Sequence, residues 1–274
     1  MSFVVTYRIE SPRGPRKPVL VEVPHSGLGL DPVSSAWSVA PLRSIVRDAD
    51  LYVDQLYRDA PDLGATLIVA NLSRYVCDLN RAETDIDRLS VAGAEGDGAP
   101  HGFIWRRTSD GDAALSSPLP PTELSRRRDD FYRPYHAAVS TLLEELRQEF
   151  GYAILLSAHS MPSRGKPGTA DAGRARADVV PGTRGKTTCS ESVLKVTEIL
   201  ATQFGWSLRH DQPYRGGHTT GHYGRPLHGW HAMQIELSRG LYMHESSLDL
   251  TPGAVYARSF CAELVTALAR IDRP

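Results

Sequence analysis

Three stretches of this 274-residue chain end an apolar run on a side chain capable of chemistry. VLVEVPHSG puts His25 just past Val19 to Val23, YAILLSAHSMP puts His159 where the run Ala153 to Leu156 stops, and HAMQIELSRG puts Glu236 after Met233 to Ile235. Short apolar runs bounded by Gly or Pro read as buried strands, and in open α/β sheets ligands gather outside the carboxyl ends of the strands. Two imidazoles and one carboxylate form the open, three-ligand arrangement of catalytic zinc. For either histidine alone, a hydrogen-bonded and half-buried ring is an equal reading; two of them at strand exits favour ligation. The carboxylate is sought among Asp48, Asp50 and Asp54. Asp50 is the choice, because Ala49 and Leu51 put it close to an apolar stripe. A solvated helix surface accounts for the other two.

Glu236 lies between Ile235 and Leu237, and a carboxylate in apolar surroundings is costly unless it is paired or sits near a cation. It reads either as a general base, its pKa lifted by desolvation, or as an internal salt bridge to Arg239 or Arg74. Asn80 and Arg81 close SRYVCDLNR, which follows another apolar run, Ala65 to Ala70. Arginine pairs bidentately with carboxylates, so arginines at a strand exit suggest an anionic substrate; the plainer alternative is that Asp78 and Arg81 brace the loop. PYRGGHTTGHYGRP offers Arg215, His218, His222, Tyr223 and Arg225 among glycines. A flexible substrate-contacting loop is preferred there over a second metal site.

The elements that must position these groups alternate. Strands are expected over Phe3 to Ile9, Val19 to Val23, Ala65 to Ala70, the His159 run, Trp206 to Arg209 and the Glu236 run. Between them, Leu42, Ile45, Val46, Ala49, Val53, Leu56 and Tyr57 recur at helical spacing. Further helices are expected from Thr122 to about Phe150, kinked or split near Pro134, from Ser190 to Phe204, and from Pro252 to about Ile271. Strands alternating with helices imply an α/β fold, a mainly parallel or mixed central sheet covered by helices on both faces, in one domain spanning 1–274. Two polar, Gly-rich segments, 84–121 and 160–188, are long enough to be loops folded over the sheet.

A formal net charge of −1 gives no push toward nucleic acid or an anionic membrane. Cys77, Cys189 and Cys261 are far apart and odd in number, which fits reduced thiols in a cytoplasm better than a disulfide framework. The N-terminal residues lack the basic and apolar regions of a signal peptide, and no apolar run reaches the ~18 residues of a membrane span.

Taken together and in order, VPHSG, the D-x-D of RDADLYVDQLY, SRYVCDLNR, the PYH at Pro134 to His136, AHSMPS, ADVVPGTRGKTTC, PYRGGHTTGHYGRP and IELSRGLYM resemble the N-formylglutamate amidohydrolases (deformylases) of bacterial histidine breakdown. The resemblance covers most of the chain. It implies a fold similar to zinc carboxypeptidases and aspartoacylases (phosphorylase/hydrolase-like), one Zn2+ on His25, Asp50 and His159, and Glu236 as the catalytic carboxylate. It makes Asn80 and Arg81 look like a substrate-carboxylate clamp. On this basis the chain is expected to be a soluble, cytoplasmic zinc amidohydrolase cleaving N-formyl-L-glutamate to formate and L-glutamate. Arg74 would steady the oxyanion, and Arg81, Arg215 and Tyr223 would contact a small anionic substrate. An N-acyl-amino-acid deacylase or small-peptide carboxypeptidase using the same site is the nearest rival. A metal-free binder of anionic ligands is the rival from outside the enzymes.

Overall fold

The computed structural model describes residues 5–272 and residue 274. In chain order the regular elements are β1 (Tyr7–Glu10), β2 (Val19–Val23), α1 (Pro32–Trp37), α2 (Leu42–Asp48), α3 (Val53–Leu56), β3 (Thr66–Ala70), α4 (Pro121–Arg127), α5 (Arg133–Phe150), β4 (Ala153–Met161), β5 (Val179–Gly182), α6 (Glu191–Gln203), α7 (His218–Tyr223), β6 (Trp230–Ser238) and α8 (Gly253–Leu268). The six strands form one sheet in the order β1-β3-β2-β4-β6-β5. β2 runs parallel to β4 and β4 parallel to β6, while β5 pairs antiparallel with β6, so the sheet is mixed and the expected α/β class holds. Buried parallel strands explain the sequence pattern: every residue of β2 and of β4 is buried, so neither alternates polar with apolar.

The chain folds as two compact units. One comprises residues up to Arg8, Pro24–Leu51 and Val69–Ser140; the other comprises Ile9–Val23, Tyr52–Ile68 and Thr141–Pro274.

Several expectations need correction. β1 begins at Tyr7, and Phe3 and Val4 lie outside the described residues. The helix read across Leu42 to Tyr57 is two helices. α2 stops at Asp48, Ala49 is extended, and Tyr52 takes a left-handed conformation (φ 67°) before α3. The apolar spacing survives the break, which is why periodicity does not show it. In place of a break near Pro134, a π-helical stretch, Arg128–Tyr132, joins α4 to α5 without interruption, and Pro134, which has no N–H to donate, is the second residue of α5. Trp206 to Arg209 contributes only a single bridge, Leu208 to Val179, whereas the strand in that region is β5, within a stretch that reads as a Gly-rich loop. Segment 84–121 holds no helix or strand before α4, yet Phe103, Ile104, Trp105 and Leu119 are buried, so it packs as structure of its own.

Candidate active site

His25 lies two residues beyond β2, as its sequence position suggests. The turn that carries it is tightly seated: a Cβ on Gly27 would lie 2.4 Å from the Asn71 carbonyl carbon, so only glycine fits. His25 is 2% exposed and its Nε2 is 2.7 Å from Asp78 Oδ1. A carboxylate can only accept, so Nε2 carries the ring proton and Nδ1 keeps its lone pair. Asp50 Oδ2 is 3.6 Å from that Nδ1, and Arg74 Nη2 is 2.8 Å from it. Asp50 owes its place to the end of α2. Released from the helix, its backbone N–H donates to the His25 carbonyl at 2.9 Å.

Asp78 is the hub of this half of the site. Besides His25 it receives Arg74 Nε at 3.2 Å, Arg74 Nη2 at 3.1 Å, Trp105 Nε1 at 3.1 Å and the Asn80 backbone N–H at 2.9 Å, and it is fully buried. Burial alone would raise its carboxyl; His25 and Arg74 together outweigh that and hold it well below the usual carboxylate range. For His25, burial and Arg74 push the imidazole down, but Asp78 and Asp50 push harder, so it is raised. The Arg74 guanidinium lies 4.6 Å from the Trp105 ring centroid and also donates to the Asp48 carbonyl at 3.2 Å. Asp48 is occupied structurally: its carboxylate accepts from the Tyr75 hydroxyl at 2.6 Å and from the Ser109 backbone at 2.9 Å. Asp54 stands in the first turn of α3.

His159 and Glu236 lie inside β4 and β6 rather than just past them, and they face each other across one rung of the parallel ladder. Partners in register present their side chains on the same sheet face. Both are buried, at 3% and 6% exposure. The rung two residues earlier repeats the arrangement with Ser157 opposite Gln234. Ser157 Oγ is 3.1 Å from His159 Nε2, and Gln234 Nε2 donates to Glu236 Oε1 at 2.9 Å. Of the two arginines weighed as partners for Glu236, Arg239 Nε donates to Ser160 Oγ, and Arg74 pairs with Asp78.

One nitrogen of His25, one of His159 and one carboxylate oxygen of Asp50 all lie within 4.8 Å of one another. The donor set suits a divalent metal: two imidazoles and one carboxylate, all buried, each ring with its Nε2 engaged by an oxygen that fixes its orientation. Of the candidate substrate contacts, Asn80 and Tyr223 are buried, at 7% and 2% exposure, while Arg81 and Arg215 are exposed. Trp105, Ser157 and Gln234 are supporting residues that sequence reasoning does not reach, and it reaches Asp78 only as a candidate brace for its loop. For Asp78 a signal exists: like Glu236 it is a carboxylate among apolar neighbours, Val76, Cys77 and Leu79.

The family model for N-formylglutamate amidohydrolase matches residues 17–243. The chain belongs to the N-formylglutamate amidohydrolase family. Within it, the N-formylglutamate deformylase of Pseudomonas putida is 34% identical over 234 residues, 84% of each chain. That of Pseudomonas aeruginosa is 34% identical over 235 residues, 85% of this chain and 84% of the relative. The crystal structure of N-formylglutamate amidohydrolase from Ralstonia eutropha JMP134 superposes with a TM-score of 0.88 at 28% identity, covering 98% of this chain and 99% of that one. An Agrobacterium tumefaciens protein of known structure, 21% identical with a TM-score of 0.63, shares the fold; the match covers 96% of this chain and 94% of that one.

Proposed function

We propose that residues 1–274 act as one zinc amidohydrolase domain that hydrolyses N-formyl-L-glutamate to formate and L-glutamate. The observation that carries the reading is the convergence of His25, Asp50 and His159 within 4.8 Å, with Glu236 on the same rung as His159. The names of the curated relatives supply the substrate. Zinc held by the two imidazoles and Asp50 supplies a Lewis acid for the formamide oxygen and lowers the pKa of water. Glu236 takes the proton from the attacking water and passes it to the departing amine as the C–N bond breaks. Its Gln234 partner holds one carboxylate oxygen in place for that transfer. Arg74, fixed by Asp78 and Trp105, steadies the charge that develops on the formyl oxygen; one such donor is typically worth ~2.7–4 kcal/mol.

The substrate carries two carboxylates, and Asn80, Arg81, Arg215 and Tyr223 are proposed to bind them, positioning the formamide for attack. The two arginines are solvent-exposed and so open to a ligand arriving from solution. We place the enzyme in the cytoplasm, in histidine breakdown. The three cysteines are free and buried, consistent with reduced thiols in such a compartment. The test is a panel of N-formyl, N-acetyl and peptidyl amino acids. Formate release from N-formyl-L-glutamate should exceed turnover of the others, and preferential hydrolysis of acetyl or peptide substrates would displace this reading.

A further inference from the structure

Gln234 lies two residues before Glu236 on β6, with Ser157 on one side and Gly182 on the other. All three residues of this rung receive the segment that leads from Arg215 into α7. Ser157 Oγ meets Thr219 Oγ1 at 3.2 Å. A Cβ on Gly182 would lie 2.6 Å from the Gly216 nitrogen, so the backbone of the loop rests directly on that glycine. Gly217 N–H donates to Gln234 Oε1 at 2.9 Å. A backbone N–H meets only an acceptor, which fixes which end of the amide is oxygen; the other end, Nε2, therefore donates to Glu236 Oε1, at 2.9 Å. The side chain is 4% exposed, so both bonds are made away from solvent, where each is costly to lose.

We propose that Gln234 is a positioning residue that ties the Glu236 carboxylate to the Arg215–Thr219 loop, so that the proton-transferring group and the loop bearing a substrate arginine keep a fixed separation. The inference rests on the function proposed above for Glu236 and Arg215. The bond to Glu236 can be removed alone or together with the bond from Gly217. Gln234→Glu is isosteric; it keeps an acceptor for Gly217 and replaces the donor to Glu236 with a like charge. Turnover of N-formyl-L-glutamate should fall about 10–100-fold, the usual loss for a supporting partner, with KM within about threefold of wild type. Gln234→Met removes both bonds. Turnover should fall similarly, KM should rise as well, and amide hydrogen exchange around Gly217 should quicken.

A Gln234→Glu enzyme with wild-type turnover overturns the proposal. So does a pair of variants that lower kcat and raise KM alike in proportion to lost thermal stability, the pattern of a purely structural residue. Should Gln234→Met not fold, Gln234→Glu decides by itself. The exchange measurement needs no turnover. Equal protection of the Gly217 amide in wild type and Gln234→Met refutes the loop tie even where the wild-type protein proves inert toward every N-acyl amino acid, an outcome that separately removes the proposed reaction.

Discussion

Replacing Asp78 by asparagine tests the electrostatic design of the site from outside the ligand set. In the wild type, Oδ1 accepts from His25 and the Asn80 backbone, and Oδ2 accepts from Arg74 and Trp105. An asparagine can turn its oxygen to only one of these sides. With the oxygen toward Arg74 and Trp105, the new NH2 faces His25 Nε2, which must then accept. The ring proton moves to Nδ1, the nitrogen 3.6 Å from Asp50, and closes the lone pair a metal needs. Loss of such a supporting carboxylate typically costs 10–100-fold in metal affinity, or about 1.4–2.7 kcal/mol. The Asn80 N–H also loses its acceptor in a buried place, worth about 1–3 kcal/mol of stability. At about 2–4 °C per kcal/mol for a chain of this size, the melting temperature should drop roughly 2–12 °C. Asp78→Ala, which leaves Arg74 without its buried partner, should cost about 3–5 kcal/mol. Zinc competition against a chromogenic chelator, with thermal melts in parallel, reads both effects. An Asp78→Asn protein that binds zinc within about twofold of wild type would refute the reasoning, since the supporting carboxylate is expected to matter at least tenfold.

Other expectations follow from the same structure. Glu236→Gln should lower kcat by about 10²–10⁴ while L-glutamate binding, measured by calorimetry, persists; unchanged turnover would remove Glu236 from proton transfer. Arg81→Ala and Arg215→Ala should each raise KM for N-formyl-L-glutamate by about 10–100-fold, as loss of a charge-assisted bond implies, and the effect should shrink for N-formyl-L-alanine, which lacks the second carboxylate, in whichever variant held it. The hydrogen bond from Arg258 outweighs burial and holds the Asp59 carboxyl below its ordinary value. Its folded pKa is thus depressed, so this pair stabilises the protein above the unfolded carboxylate range near pH ~4 and loses that contribution as pH falls through the folded value. Asp59→Asn should therefore flatten the decline of melting temperature below about pH 4, and parallel wild-type and variant curves would contradict it.

The parts of the site legible in the sequence are the groups delivered by strands. β2, β4 and β6 are buried runs long enough to announce themselves, and His25, His159 and Glu236 follow from where they end or turn polar. The strands nevertheless run a few residues past the apparent exits, because Ser157, Ser160 and Gln234 are polar yet still sheet-paired, satisfied by hydrogen bonds that composition does not disclose. Asp50 is the carboxylate that stands with His25 and His159, but not by the route the sequence suggests. Periodicity puts it on a continuous helix face, whereas it lies in the gap between α2 and α3, opened by a left-handed tyrosine that no apolar pattern signals. The supporting groups stay hidden for a different cause. Asp78 meets His25 across 53 positions and Trp105 across 27, and contacts at such separations have no local period. Segment 84–121 illustrates this: its polar, glycine-rich composition reads as a loop, yet it delivers Trp105 to Asp78 and Ser109 to Asp48.

The most direct test of the account is metal analysis of the purified protein joined to a formate-release assay with N-formyl-L-glutamate, before and after chelation. One zinc per chain, loss of formate release on chelation and its return with added zinc are expected, with one L-glutamate formed per formate. A chain that holds no zinc and stays inert after zinc is supplied, or one that releases formate equally well with and without chelator, would contradict the assignment of His25, Asp50 and His159 to a catalytic metal.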